Sequence, residues 1–187
     1  MAIREKTFSP KTAVESILFI ASRQGGQASF HEVLKLRYFA DRIHLSRYGR
    51  LASGDDYTAM KFGPVGSRTY DLLKAAKLDA VSEWTNPAFV EAVSGAFDIG
   101  PDGSTIRSRR EANMALLSAA EIECIEEAIR QYGGMSFKQR TALSHDAAWQ
   151  EAYDAALEAK VGTASMKLES IAKTLDNAEE VLEHLSA

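Results

Sequence analysis

The sequence predicts a mainly helical α+β fold: a helical core, a small antiparallel sheet or hairpin, and an amphipathic C-terminal helix. Three observations carry that expectation. Apolar residues recur at helical spacing in three windows that open on Ser-Pro or Ser-x-x-Glu and close on Gly-Gly or Gly49. The stretch from Val81 to Arg109 is instead rich in β-branched and aromatic residues, broken by Asn86-Pro87 and Pro101-Asp102-Gly103-Ser104. Finally, Leu168, Ile171, Leu175, Ala178, Leu182 and Leu185 follow one another at alternating intervals of three and four.

Taken in order, Ser9-Pro10 opens a first helix over about residues 10–23, carried by Ala13, Ile17, Ile20 and Ala21 and stopped by Gly25-Gly26. Ser29 with Glu32 is a capping box, in which hydroxyl and carboxylate each satisfy one orphan backbone donor, and it opens a long helix ending near Gly49. Gly54-Asp55-Asp56 is turn chemistry, and Tyr57 to Phe62 has strand composition. Pro64 is expected to start a helix through Tyr70, Leu72 and Leu73 to about Lys77. A hairpin follows, Ala96–Gly100 against Thr105–Ser108. Ser118 with Glu121 caps another helix that runs to Gly133-Gly134, Ser136 caps a short one towards His145, and Trp149 to Ala159 adds a turn or two. Beyond a hinge at Gly162-Thr163, the stripe of leucines predicts one helix of about 20 residues that packs on its own domain or docks on a partner or a second copy. The division expected is residues 1–160 as the domain and 161–187 as the C-terminal helix.

The composition excludes several classes. With 187 residues, 45% hydrophobic and 26% charged, the chain is neither fibrous nor fully disordered and is long enough to bury a core without disulfides. A single cysteine, Cys124, and four histidines make neither a disulfide nor a structural zinc site, and a reducing cytoplasm is the expected setting. The longest apolar run, Ser16 to Ser22, is too short to span a bilayer. The net charge of −4 conceals a split: residues 1–110 carry 16 basic and 12 acidic groups, residues 111–187 carry 6 and 14. Such a split can steer a charged partner to one side.

Known catalytic signatures are missing: there is no Walker loop, Rossmann glycine triplet, nucleophile elbow, zinc-protease helix or EF-hand spacing, so no catalytic residue, cofactor or metal is expected. Asp41 and His44 could form an acid–base pair but are expected to be an exposed helix pair. His145, four residues before Trp149, is expected to stack or cap. The basic set Lys35, Arg37, Arg42, Arg47 and Arg50, with Arg107, Arg109 and Arg110, is too slight a surplus for nucleic-acid binding. Cys124, between Ile122 and Ile125, reads as a small buried hydrophobe.

Two segments resemble a known family. Lys35-Leu36-Arg37-Tyr38-Phe39-Ala40 is similar to the K-L-x-Y-F-A helix, and Phe62-Gly63-Pro64-Val65 with Tyr70 to the G-P-V turn and following helix, of the SocA-like Panacea antitoxin domain. Leu117-Ser118 with Glu121, Tyr132-Gly133, and Ser144-His145 with Trp149 resemble later features of the same family, so the likeness runs over about residues 10–155. The chain departs from the family pattern at Arg37, where leucine is common, and in the helix after Gly162. The resemblance implies an antitoxin that binds and blocks a co-encoded toxin, or an adaptor that delivers the toxin to a Clp-type protease. A small-molecule enzyme and a DNA-binding autoregulator are the readings from other classes.

In physical terms Lys35, Leu36, Tyr38, Phe39, Gly63, Pro64, Val65, Tyr70, His145 and Trp149 are expected to be framework. Lys35 should lay its stem on core and keep its head in water. Gly63 should supply a backbone angle or a close approach that other residues cannot. Contact with a toxin is expected from exposed aromatic and arginine side chains, for which Arg47, Tyr48, Arg50 and Tyr70 are the candidates.

Overall fold

A computed structural model describes residues 6–78 and 86–186. Its organising element is the helix α2, Phe30–Tyr48, which runs through the middle of the domain and is buried without interruption from Val33 to Asp41. Helices α1 (Pro10–Arg23), α5 (Ala119–Tyr132) and α6 (Phe137–Ser144) pack around it. Because neighbours surround α2, its polar residues are buried along with its apolar ones, and a one-face amphipathic pattern does not describe it.

The expected capping signals form in the folded chain. Ser9 accepts from the N–H of Thr12 with Pro10 at the first helical position, and Ser29–Glu32 and Ser118–Glu121 both close reciprocal boxes. A third box, Ser136–Gln139, opens α6. Gly49 ends α2 in the left-handed conformation, φ 66°.

Two three-stranded antiparallel sheets flank this core. In the first, β4 (Phe97–Ile99) and β5 (Thr105–Ser108) form the expected hairpin, and β1 (Gln27–Ser29) adds to the far side of β5 with Ala28 opposite Ile106. Asp102 closes the turn by accepting from the backbone N–H of Ser104 and of Thr105. Asn86-Pro87, expected only as a break, caps and opens α4, Pro87–Val93. Residues 81–85, the start of the stretch expected to be strand-like, lie outside the described residues.

The second sheet corrects one expectation. Residues 63–66 do not begin a helix; they form β3 (Gly63–Gly66), paired with β2 (Tyr57–Met60) through a two-residue turn at Lys61-Phe62. Gly63, at φ 96°, makes that turn, and Pro64 is tolerated because β3 is an edge strand. The helix α3 starts later, at Ser67, and runs to Leu78. Its cap comes from far away: the buried Asp55 accepts from the backbone N–H groups of Arg68 and Thr69. Gly66 is required here by space, since a Cβ would lie 2.6 Å from Asp55 Oδ2.

The third strand of this sheet, β6 (Ala164–Ser165), joins β2 after α7 (Ala147–Glu158). The segment after β6 is not one long helix. The leucine stripe is split between α8 (Leu168–Ala172) and α9 (Ala178–Ser186), with a turn at 173–177. Ile171 is buried and Leu168, Leu175, Leu182 and Leu185 pack on this chain's own core. The turn is tied to α2: Asn177 Nδ2 donates to Ser46 O, Ser46 Oγ donates to Asn177 Oδ1, and Arg42 donates to Thr174 O. These tertiary bonds outweigh the local preference for a continuous helix.

Candidate functional site

Three segments distant in sequence meet at one layer: the middle of α2, the β2–β3 turn, and the α6–α7 corner. Lys35 Nζ donates to Pro64 O at 2.6 Å, joining the first two. Trp149 Nε1 donates to Met60 O at 2.9 Å, joining the second and third, and Tyr38 donates its hydroxyl to Asp146 Oδ2 at 2.6 Å, joining the first and third. Leu36, Phe39 and Val65 are buried beside this layer, with the Phe39 ring 4.2 Å from that of Tyr132.

Lys35 corrects its expectation. It is 1% exposed, so its head is inside the protein rather than in water, and burial pushes its pKa down to about 7. The sequence pattern hid this because an unpaired lysine is rarely fully buried. Gly63 gives the reason the head fits. A Cβ on Gly63 would overlap Ser144 Oγ and come within 3.1 Å of Lys35 Cε and Nζ, so the bare glycine makes room for both.

Histidines line the same layer. His145 ends α6, and its ring lies flat on Trp149 with centroids 3.6 Å apart and planes 2° apart. Trp149 in turn stacks on Tyr153 at 4.7 Å. Burial, then the Lys35 charge, lowers the pKa of His145 against the pull of Asp146. His31 bonds Thr141 Oγ1 through Nε2, and burial with the charges of Lys35 and Arg140 brings its pKa to about 4. His31 is therefore neutral at pH 7, and His145 is held towards its neutral form. His31 Nδ1 and His145 Nε2 are buried with no hydrogen-bond partner among the described residues.

Above this layer the surface is aromatic. Phe62, in the β2–β3 turn, and Phe137, at the start of α6, are 51% and 48% exposed, and their rings meet edge to face at 5.4 Å. His31 stacks beneath Phe137 at 3.9 Å. The sequence marks Phe62 only as the residue before Gly63-Pro64-Val65 and does not mark Phe137; the signal for their exposure is an aromatic in a tight turn and another just after a capping serine, both positions that face solvent.

The residues expected to contact a toxin are placed differently. Arg47 forms ion pairs with Glu123 and Glu127 of α5. Tyr48 is 42% exposed with its ring 4.6 Å from that of His44. Arg50 lines a cleft of about 370 Å³ with Gly49, Asp56, Met166 and His184. Tyr70 stands apart on α3, half-buried, with Lys74 Nζ 4.8 Å from its ring centre.

Asp41 and His44 are another correction: both are buried, not exposed, and each has its own partner. Asp41 accepts from Ser53 N–H and Oγ and from the Tyr57 hydroxyl, whereas His44 Nδ1 bonds Arg50 O at 2.8 Å. The cleft beside Arg50 is lined by neither of them, nor by His145 or Trp149. The basic residues of α2 likewise form no open face: Lys35 and Arg37 are buried, Arg37 donating to Ser16 Oγ, and Arg42 is engaged with Asp146 and Thr174. Beyond the hairpin, Arg110 pairs with Glu15 and Arg109 with Asp98. Cys124 is fully buried and burial raises its thiol to about 11. No described helix is long and apolar enough to cross a membrane.

Comparison with curated proteins and with solved structures gave no match. A family model does match, over residues 33–150, a span that begins in α2 and ends just past Trp149 and so contains every contact joining α2, the β2–β3 turn and the α6–α7 corner. Covering more than half of the sequence, it shows that the chain belongs to the antitoxin SocA-like, Panacea domain family.

Proposed function

We propose that this chain is the antitoxin of a toxin–antitoxin pair and neutralises a co-encoded toxin by direct protein–protein binding, without catalysis. The observation that carries the reading is family membership over residues 33–150. The way the motif residues are used supports it. Lys35, Gly63, Pro64, His145 and Trp149 are committed to contacts with one another or with backbone, as framework requires, and the chain's exposed aromatic side chains are left for a partner. Arg47, Tyr48, Arg50 and Tyr70 are one proposed set of contacts, and Phe62 with Phe137 is another.

A second reading is a proteolytic adaptor that holds the toxin on the domain and presents it to a Clp-type protease. It is favoured by the acidic outer face of α9, where Glu179, Glu180 and Glu183 are exposed for a separate contact. Co-expression with the product of the adjacent gene, in cells with and without the Clp protease, tests both. Growth rescue and a stable complex in protease-deficient cells are expected for direct neutralisation, whereas rescue only where the protease is present means an adaptor. Absence of both rescue and complex refutes the antitoxin reading.

A further inference from the structure

The aromatic pair above the Lys35 layer is held more firmly than exposed side chains require. Phe62 occupies a two-residue turn whose next residue, Gly63, is wedged against Ser144 and Lys35. Phe137 follows the Ser136 capping box directly and is backed by the His31 ring. Single exposed apolar residues are ordinary on a protein surface, but two phenylalanines in edge-to-face contact on fixed backbone form a rigid anchor point that loses little entropy on binding.

Its electrostatic surroundings are one-sided. Of the cations in the two segments that build the patch, 57–66 and 133–145, Lys61 and Lys138 are exposed while Arg140 is buried against Glu32, and the carboxylates flanking these segments are engaged elsewhere: Asp55 caps α3, Asp56 pairs with Arg68 and Asp146 accepts from Tyr38. Lys61 Nζ lies 5.5 Å from the centre of the Phe62 ring, and Lys138 is exposed. The neighbouring carboxylate, Glu32, already holds the Ser29 cap with one oxygen and Arg140 with the other. A positive rim around an apolar centre complements an apolar anchor flanked by carboxylates.

We infer that the Phe62–Phe137 patch is the surface on which the toxin docks, and that the toxin presents to it a large apolar side chain flanked by aspartate or glutamate. The inference rests on the antitoxin reading and adds the contact surface and the partner's chemistry to it. The rings fill the centre of the contact and exclude water from it, while Lys61 and Lys138 steer the acidic flanks at the rim.

The test is the affinity of the full chain for the product of the adjacent gene, measured for Phe62→Ala, Phe137→Ala and the double variant K61E/K138E, with Leu157→Ala on α7 as an exposed control. Circular dichroism confirms that each variant is folded, and the charge reversals leave the packing of His31 untouched. The alanine variants are expected to weaken binding about 10- to 100-fold, as truncation of a central aromatic does. K61E/K138E, which turns attraction at the rim into repulsion, is expected to slow association several-fold and to reverse the slowing that added salt causes in the wild type. Folded variants that bind as tightly as the wild type overturn the docking surface while leaving the antitoxin reading intact. Variants that alter only self-association, with toxin binding unchanged, overturn it as well and assign the patch to a second copy of the chain. A wild-type chain that binds no toxin overturns the antitoxin reading itself.

Discussion

Replacing Gly63 by alanine adds one methyl group where β3 meets Lys35 of α2 and Ser144 of α6. Two costs arise from the structure. At φ 96° a residue with a Cβ is strained by about 1–2 kcal/mol, and the added carbon then overlaps Ser144 Oγ and presses within 3.1 Å of Lys35 Nζ and Cε. Lys35 cannot swing away cheaply, because it is 1% exposed and bonded to Pro64 O. Overpacking of this kind adds about 1–3 kcal/mol, so Gly63→Ala should cost about 2–5 kcal/mol in all. Gly95 supplies the control: its φ is 70° but nothing lies within 4 Å of an added Cβ, so Gly95→Ala should cost only the backbone part, about 1–2 kcal/mol. Ser144→Ala removes the overlapped atom at small cost, since Ser144 Oγ donates only to Thr141 O, which also accepts from His145 N–H. Urea unfolding followed by circular dichroism gives the stabilities of the wild type, the three single variants and the double variant, and the cycle Gly63→Ala/Ser144→Ala should show a favourable coupling of at least about 1 kcal/mol. Equal costs at Gly63 and Gly95, or no coupling to Ser144, would refute the close approach at this layer.

Lys35 predicts how stability varies with pH. Its folded pKa, about 7, lies below the unfolded 10.5, so between these values the folded chain has released a proton that the unfolded chain keeps. Stability should therefore rise with pH across this window, by up to about 1.4 kcal/mol per unit, and Lys35→Met should remove that rise when unfolding is measured at pH 7 and at pH 9. His31 acts in the same direction in acid: with its folded pKa at about 4 against 6.5, stability is lost as pH falls through that interval, and His31→Gln should flatten the loss. Asp55→Ala should destabilise by about 2–4 kcal/mol in urea, because it uncaps α3 and leaves buried N–H groups unpaired; a loss below about 0.5 kcal/mol, the size of a surface change, contradicts that role. Cys124 should stay unreactive towards a thiol-disulfide reagent at pH 8 in the folded chain and react fully in guanidinium, and prompt labelling of the native protein would contradict its burial.

Much of the helical framework is legible in the sequence because its ends are written locally. Ser9-Pro10, Ser29 with Glu32 and Ser118 with Glu121 each set a helix start through bonds between residues three apart. The β4–β5 hairpin is legible for the same reason, through Asp102 and its turn. What escapes is decided by partners far along the chain. β1 and β6 are two or three residues long and exist through pairing with β5 and β2. Pro64 resembles a helix start until β2 claims its segment, and the C-terminal leucine stripe reads as one helix until Asn177 and Thr174 are bonded to α2.

The buried layer shows both cases. His145 stacked on Trp149 is visible as a spacing of four residues, and Gly63 as a glycine before proline. The burial of Lys35, Asp41 and His44 is invisible locally, because it follows from α2 being enclosed by other elements rather than from its own pattern. Phe62 and Phe137 escape for the opposite reason: aromatic residues are expected inside, and only the folded chain shows these two at the surface and in contact.

Direct binding to a toxin is tested most directly by titration of the purified full chain into the purified product of the adjacent gene, with no protease present. Direct neutralisation requires a saturable complex of fixed stoichiometry that abolishes the toxin's activity in step with its formation. Toxin that stays fully active and unbound at micromolar concentrations of the chain contradicts it.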